Sequence, residues 1–168
     1  MNPLETRALY DLSHTLAAPL LEKVRYPWEA LSGIGAFIAA LGPTLSQEEY
    51  ASPRPGVWIH KTAVLAPTAF VGETVIIGPG AEVRHGAFIR GNALVGEGAV
   101  VGNSTELKNV ILFDRVQVPH YNYVGDSILG YRAHMGAGSI TSNVKSDKTV
   151  VVIRAGELCL ETGRKKVG

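Results

Sequence analysis

The sequence predicts a mainly β fold, a parallel β-helix of hexapeptide repeats preceded by a small helical segment. An aliphatic residue recurs every six positions, a small or β-branched residue stands two positions before it, and glycine often follows it. A period of six fits neither an α-helix nor an isolated amphipathic strand, and it indicates one short strand and one turn per unit. The repeated aliphatic positions are Ile59, Leu65, Val71, Ile77, Val83, Ile89, Val95, Val101 and Leu107 and, with one-residue slips, Leu112, Val118, Val124, Leu129 and Met135.

Three units per coil make a triangular prism, in which residues about 18 apart stack at the strand spacing of roughly 4.8 Å. The aliphatic side chains fill the prism, so we expect function on its outer faces, at its corners or between prisms. The flat sides of such a prism favour association into a homotrimer, and grooves between subunits would then form pockets.

Three segments are predicted along the chain. Residues 1–52 lack the repeat and form a helical leader, with apolar residues at helical spacing before Gly42. Residues 53–144 carry the hexapeptide repeats. Residues 145–168 break them and predict a loop or hairpin excursion that ends in a basic turn, with the β-helix continuing beyond the end of the chain. The apolar positions of the leader are Leu31, Ile34, Phe37, Ile38 and Leu41.

Composition excludes several classes of protein. Of 168 residues, 16 are Lys or Arg and 15 are Asp or Glu, which argues against a general nucleic-acid binder. A single cysteine, Cys159, excludes an internal disulfide and fits a reducing compartment. No signal peptide and no apolar stretch of membrane-spanning length is evident. We therefore expect a cytoplasmic protein without nucleic-acid or membrane partners.

Stacking places two cations together. Arg90 and Lys108 each follow an inward aliphatic residue, three hexapeptides apart, where most equivalent residues are Gly, Ala or Pro. Two cations one strand spacing apart repel each other unless an anion lies between them, and a phosphate is the obvious candidate. The alternative is a pair of solvated surface charges with Glu106 as counter-ion.

The densest polar and aromatic cluster of the repeat runs from residue 118 to residue 126. His120 lies at a corner there, and His134 falls one coil above it. Imidazole is a suitable general base near neutral pH, although a lone histidine is more often an ordinary surface residue. His14 and His60 receive that second interpretation.

The cluster carries a family resemblance that covers about residues 57–168. It closely resembles the acetyltransferase domain of bacterial bifunctional N-acetylglucosamine-1-phosphate uridyltransferase/glucosamine-1-phosphate acetyltransferases and is similar to their archaeal sugar-1-phosphate nucleotidyltransferase relatives. The Pro-His-x-x-Tyr-x-Gly-Asp motif is the specific part, and the hexapeptides alone are not specific. The residues that carry the resemblance are Val118-Pro119-His120, Tyr123-Val124-Gly125-Asp126, Gly130, Gly136 to Ile140 and Asn143, with Arg90 and Glu106 to Asn109 upstream.

The resemblance implies a left-handed β-helix, a homotrimer, and acetyl transfer from acetyl-CoA to the amine of an amino-sugar 1-phosphate, with no metal. It implies that His120 is the general base. It assigns the sugar phosphate to Arg90 and Lys108, and further substrate contacts to Tyr123 and Asn143. It implies a backbone contact from Ala137 to the acetyl donor, and contacts from Arg164, Lys165 and Lys166 to the CoA phosphates.

Three departures from the family pattern bear on function. His134 stands beside the sugar where the family usually has Asn, which would change the accepted sugar or add a titratable group. The nucleotidyltransferase domain is missing, so we expect no uridyl transfer. The sequence stops at Gly168, where the family continues with coils that complete the donor site.

Two other classes stay open. One is a non-catalytic or regulatory β-helix subunit, suggested by the departures at His134 and at the chain end. The other is a trimeric zinc enzyme similar to the hexapeptide-repeat carbonic anhydrases, which bind zinc through three histidines between subunits. His85 and His120 occupy equivalent corners two coils apart, but the usual third position, five residues after His120, is Gly125.

Overall fold

Short parallel strands stack into a β-helix in the computed structural model, which describes residues 2–141 and 144–167. This confirms the predicted mainly β fold with a small N-terminal helical segment. The helices are α1 (Thr6–Leu9), α2 (Ala18–Leu21) and α3 (Ile34–Leu41), with 3-10 turns at Leu12–His14, Pro27–Glu29, Leu31–Gly33 and Gly42–Thr44. The strands are β1 (Tyr50–Arg54), β2 (Val57–His60), β3 (Val64–Leu65), β4 (Phe70–Ile77), β5 (Glu82–Val83), β6 (Phe88–Val95), β7 (Val100–Asn103), β8 (Glu106–Leu112), β9 (Gln117–His120), β10 (Tyr123–Leu129), β11 (Val152–Ala155) and β12 (Leu158–Glu161).

Each coil crosses three faces, which we number in chain order. Face 1 contains β2 and the second halves of β4, β6, β8 and β10. Face 2 contains β3, β5, β7 and β9, and face 3 contains the first halves of β4, β6, β8 and β10. The inward aliphatic residues and the small residues before them form the buried core of the prism, for example Ala81 with Val83 and Ala87 with Ile89.

The corners are built from residues in the left-handed backbone region. Corner 1/2 uses Gly80, Gly98, Arg115 and Arg132; corner 2/3 uses Gly86, Ser104, Tyr121 and Gly138; corner 3/1 uses Thr74, Asn92, Asn109 and Asp126, all with positive φ. Non-glycine residues rarely adopt this conformation, and Asn and Asp tolerate it best. Asn92, Asn109 and Asp126 of corner 3/1 are therefore suited to their backbone, whereas the β-branched Thr74 is not.

The coil length changes inside the prism. Val71 pairs with Ile89, eighteen residues later, whereas Leu107 pairs with Val124, seventeen residues later. The missing residue corresponds to a bulge in β6 between Ile89 and Gly91, which leaves Arg90 without a partner residue in β8. The one-residue slip in the sequence pattern after Leu107 marks this change.

The leader covers the outside of face 1. The outward residues of that face are apolar and stack in one column, Trp58, Ile76, Leu94, Ile111 and Ile128. α3 lies on β4, β6 and β8, and its buried residues Ile34 and Ile38 join the same core cluster as this column. The hydroxyl of Tyr10 donates to the carbonyl of Ile128 at 3.1 Å, which ties the start of the leader to the last of these strands.

Segments outside the repeats lie at both described ends of the β-helix. β1 runs antiparallel to β2 and so occupies the first edge of the sheet, which would otherwise expose unpaired backbone groups. Near the other end, β11 and β12 form the hairpin expected there, and Ile153 and Leu160 pack against the core. The segment limits at residues 52 and 144 stay a prediction. No helix within the described ranges is long and apolar enough to span a bilayer.

Candidate functional site

His120 stands at corner 2/3 on a tightly held backbone. It is the exposed last residue of β9. The next residue but one, Asn122, is only 3% exposed, and its side-chain oxygen accepts the His120 amide at 3.0 Å. The Asn122 side-chain nitrogen donates to the carbonyls of Gly136 at 2.8 Å and Ser139 at 3.1 Å. Because a buried amide with all its groups paired fixes this turn, the imidazole projects outward from a rigid base.

Ala137, rather than His134, lies above His120. The amide of Gly138 donates to the His120 carbonyl at 3.0 Å, so the turn around Ala137 rests on the histidine. His134 is one coil above β9, as expected, but it pairs with Gln117, whose side-chain oxygen is 3.3 Å from its Nδ1. The expectation that His134 stacks on His120 is wrong. A coil here contains seventeen residues, whereas His134 follows His120 by only fourteen, so Ala137 takes the stacked position.

Arg90 and Lys108 line one cavity of about 280 Å³ at corner 3/1. They are not vertical neighbours, since the bulge pairs Lys108 with Gly91 and leaves Arg90 beside it. Bulges commonly redirect a side chain in this way. Each cation already has a carboxylate partner: Arg90 bonds Glu106 at 2.9 Å and Lys108 bonds Asp126 at 2.9 Å. The remaining polar lining comes from Glu73, Thr74, Asn92 and Asn109.

Asp126 is the most densely hydrogen-bonded carboxylate of the site. Its side chain is 11% exposed and accepts from Lys108, from Lys166 at 3.0 Å and from the side chain of Asn109 at 2.9 Å. Burial by itself raises the pKa of Asp126, but the hydrogen bonds from Lys108, Lys166 and Asn109 outweigh it and hold the pKa below its ordinary value. The same hydrogen bond to Asp126 raises the pKa of Lys166.

A second cavity, of about 370 Å³, adjoins the first at Asn109 and is lined by the basic turn. The predicted donor-phosphate residues Arg164, Lys165 and Lys166 form one side of it. Leu31 and Ser32 of the leader form the other. The leader is held in place there because the carbonyl of Leu31 accepts from the Asn109 side chain at 3.0 Å.

Tyr123 lies on face 3, between His120 at corner 2/3 and Lys108 at corner 3/1. It continues an outward column that contains Phe70, Phe88 and Glu106 and ends at Ile140. A Cβ at Gly125 would overlap the Tyr123 ring, so the ring folds over this glycine toward corner 3/1. Phe70 and Phe88 are 54% and 42% exposed, which leaves face 3 partly apolar.

The structure thus brings together Arg90, Lys108 and the basic turn, and it leaves His120 and Ala137 at the other edge of face 3, with His134 on face 2. Asn143, a predicted substrate contact, lies outside the described residues. Sequence reasoning missed the roles of Asp126 and Asn109. Their signal was the corner spacing, because Thr74, Asn92, Asn109 and Asp126 recur every seventeen or eighteen residues.

A metal centre finds no support within the described part of the chain, where no three His, Cys, Asp or Glu side chains form a group that could hold an ion. The Nδ1 of His85 instead lies 2.5 Å from the hydroxyl oxygen of Thr68. Asn103, which pairs with His120, occupies the coil between the two histidines.

A family model described as the GMPPB C-terminal domain matches residues 73–156. Among curated relatives, the "Bifunctional protein GlmU" of Methanococcus maripaludis is 39% identical over 132 residues, which cover 77% of this chain but only 32% of that protein. The "Bifunctional sugar-1-phosphate nucleotidylyltransferase/acetyltransferase" of Sulfurisphaera tokodaii is 31% identical over 65 residues, covering 39% of this chain and 16% of the relative.

Among solved structures, the acetyltransferase domain of PglB from Neisseria gonorrhoeae FA1090 in complex with acetyl coenzyme A is 22% identical, with a TM-score of 0.49 over 51% of this chain and 42% of that one. PerB from Caulobacter crescentus, in complex with CoA and GDP-perosamine, is 20% identical with a TM-score of 0.43 over 52% of each chain.

Proposed function

This chain belongs to the family of the GMPPB C-terminal domain, and from that premise we propose that it transfers an acetyl group from acetyl-CoA to the amine of an amino-sugar 1-phosphate. The observation that carries the proposal is the arrangement of face 3, which has an exposed histidine at one edge and a cavity lined by Arg90 and Lys108 at the other. The names of the relatives support it, since they include an acetyltransferase. The chain spans about a third of the first relative, so the activity of the whole relative is not carried over.

In the proposed reaction His120 is the general base. The amine of the sugar attacks the thioester carbonyl carbon, the new C–N bond forms and the C–S bond breaks. The proton leaving nitrogen passes to the imidazole of His120 and then to the departing thiolate, so the products are the acetamido sugar 1-phosphate and CoA. The rigid turn at Asn122 supports this role, because proton transfer requires the base within hydrogen-bond reach of the amine.

The acceptor phosphate would be bound by Arg90 and Lys108. Both already face carboxylates, so a phosphate must compete with Glu106 and Asp126 for them. A doubly charged phosphate that bridges the guanidinium and the ammonium makes several charge-assisted hydrogen bonds, each stronger than a neutral one. Tyr123 and His134 would contact the sugar, and the exchange of the family Asn for His134 would set which sugar is accepted.

The acetyl donor would lie along face 3. The backbone at Ala137 would meet the thioester, where an amide can stabilise the developing oxyanion. The Arg164-Lys165-Lys166 turn would bind the phosphates of CoA, which suits the basic lining of the second cavity. No step in this scheme requires a metal ion.

We further propose that the active unit is a homotrimer in which two protomers build each site. His120 is five residues before Gly125, which pairs with Lys108, so up to about 16 Å of extended chain separates the proposed base from the lysine. Lys108 also points toward Asp126, away from His120. Face 1 is covered by the leader, whereas faces 2 and 3, which meet at His120, are available to a neighbouring copy.

Acetyl-CoA consumption in the presence of glucosamine 1-phosphate and related amino-sugar 1-phosphates tests the reaction directly. We expect turnover with at least one of them, and His120→Ala to reduce kcat by about 10²- to 10⁴-fold. Unchanged turnover in that variant would refute the assignment of the base. An absence of turnover across the panel would refute the acetyl transfer.

Subunit complementation tests the shared site. His120→Ala and Lys108→Ala are each expected to be nearly inactive when expressed alone. Co-expressed in equal amounts, they would recover about a quarter of the wild-type activity. In a random trimer, about half of the interfaces have an intact His120 from one protomer, and about half of these have an intact Lys108 from the next. If each site lay within one protomer, the mixture would recover nothing.

A second candidate, a non-catalytic or regulatory β-helix subunit, is favoured by one observation. Arg90 and Lys108 both have carboxylate partners already, which is what a purely structural role would require. The two functions differ in donor binding. Titration calorimetry with acetyl-CoA at millimolar concentration should show binding for the enzyme and none for the subunit.

A further inference from the structure

Asp126 is a buried carboxylate that the proposed reaction does not use. We propose that Asp126 is a positioning residue, a shared counter-ion that holds Lys108 and the basic turn at residues 164–166 at the same corner. The docking of the turn follows from the geometry alone. Its consequence for ligands rests on the proposed function, in which Lys108 binds the acceptor phosphate and the turn binds the donor.

The contacts place Asp126 at the meeting point of three parts of the chain. Lys108 comes from β8, and Lys166 comes from the end of the chain, forty residues beyond Asp126. The same Asn109 side chain that bonds Asp126 also bonds Leu31 of the leader. Two ammonium groups that both lie about 3 Å from one carboxylate would repel each other if the carboxylate lost its charge.

The backbone of the corner does not explain the charge. The equivalent residues in the coils below, Thr74, Asn92 and Asn109, adopt the same left-handed conformation and are neutral. Asn suits this conformation as well as Asp does. A carboxylate at position 126 is therefore explained by what it binds, and Asp126→Asn removes the charge while keeping the turn.

Among the described contacts of the turn, the Lys166 side chain reaches this corner and the neighbouring Val167 packs against the apolar core. The Lys166 ammonium bonds Asp126, whereas the backbone of Arg164 pairs with Val151 within the C-terminal segment. Without Asp126 the side chains of Arg164, Lys165 and Lys166 would no longer be directed at the cavity that they share with Leu31 and Ser32. A basic turn that must be ordered at each binding event binds an anion more weakly than one ordered in advance.

Limited trypsinolysis of the full chain measures the docking without any ligand. Cleavage after Arg164, Lys165 and Lys166, followed by mass spectrometry, should be about tenfold faster in Asp126→Asn, a value that allows for the half-exposed Lys166. Glu82→Gln is the matched control, because it neutralises a half-exposed carboxylate that is paired with Arg84 on face 2. A nitroxide on the exposed Cys159 in β12 should report greater mobility in the same variant only.

A double-mutant cycle separates a specific contact from a general loss of structure. Lys166→Gln removes the partner in the turn and leaves Asp126 in place, so it should accelerate cleavage after Arg164 to the same extent. The double variant Asp126→Asn/Lys166→Gln should be no faster than either single variant. Additive effects, or a cleavage rate in Asp126→Asn equal to that of Glu82→Gln, would overturn the docking.

Calorimetry with CoA tests the ligand side of the inference. We expect the Kd of CoA to rise about tenfold in Asp126→Asn and to stay unchanged in Glu82→Gln. If the wild-type protein does not bind CoA while trypsin still shows the docked turn, the proposed function fails and the docking stands. If CoA binds Asp126→Asn and Glu82→Gln with the same Kd, although trypsin shows that the turn is undocked in Asp126→Asn, the proposed function stands and the positioning role is overturned.

Discussion

Leu94→Ala measures how much the leader contributes to the stability of the prism. Leu94 faces outward from β6. On an uncovered face, truncating an outward leucine would lower the free energy of unfolding only slightly. Here it is fully buried in the column beneath the leader. Truncating a buried leucine costs the transfer free energy of the lost carbons and a cavity term, together about 2–5 kcal/mol. Since α3 lies on β6 and on its neighbours β4 and β8, we expect about 3 kcal/mol.

Leu9→Ala provides the matched control. It is the same chemical change in a leader leucine that is 49% exposed, and we expect a loss below about 0.5 kcal/mol. Urea unfolding at one fixed protein concentration gives both values, and an unchanged m-value shows that the same surface unfolds. Equal losses for the two variants would refute the conclusion that the leader covers face 1.

Three further predictions concern the candidate site. Burial raises the pKa of Asp126, but its hydrogen bonds lower it further, so the folded protein holds this pKa below the ordinary carboxyl pKa of 3.8. The difference in free energy of unfolding between wild type and Asp126→Asn should therefore be constant near neutral pH and disappear as the pH falls below 3.8, as urea titrations from pH 7 to pH 2 would measure. Asn122→Ala should cost about 2–3 kcal/mol in the same unfolding assay and also reduce turnover by His120, since it removes three hydrogen bonds of a buried side chain, to His120, Gly136 and Ser139. Gly125→Ala should displace the flexible Tyr123 ring, raising KM for the acceptor in steady-state kinetics while changing stability by less than about 1 kcal/mol.

The hexapeptide pattern alone was enough to predict the prism. Every inward residue from Val71 to Val124 follows it, and the slip after Leu107 marks the coil that is one residue shorter. This works because each unit interacts mainly with the units directly above and below it, so a local repeat carries most of the architecture. The apolar triplet Val75-Ile76-Ile77 also indicates that face 1 is covered on both sides.

The candidate site depended on tertiary structure to a greater extent. The sequence by itself determined that Arg90 and Lys108 lie on neighbouring coils of one face. Only the tertiary structure decided that a bulge shifts Arg90 out of register, that each cation has a carboxylate partner, and that Lys166 returns to Asp126. Stacking within the prism is set by short-range spacing, whereas the leader and the basic turn reach corner 3/1 through contacts between residues far apart in the chain, and no local pattern specifies those.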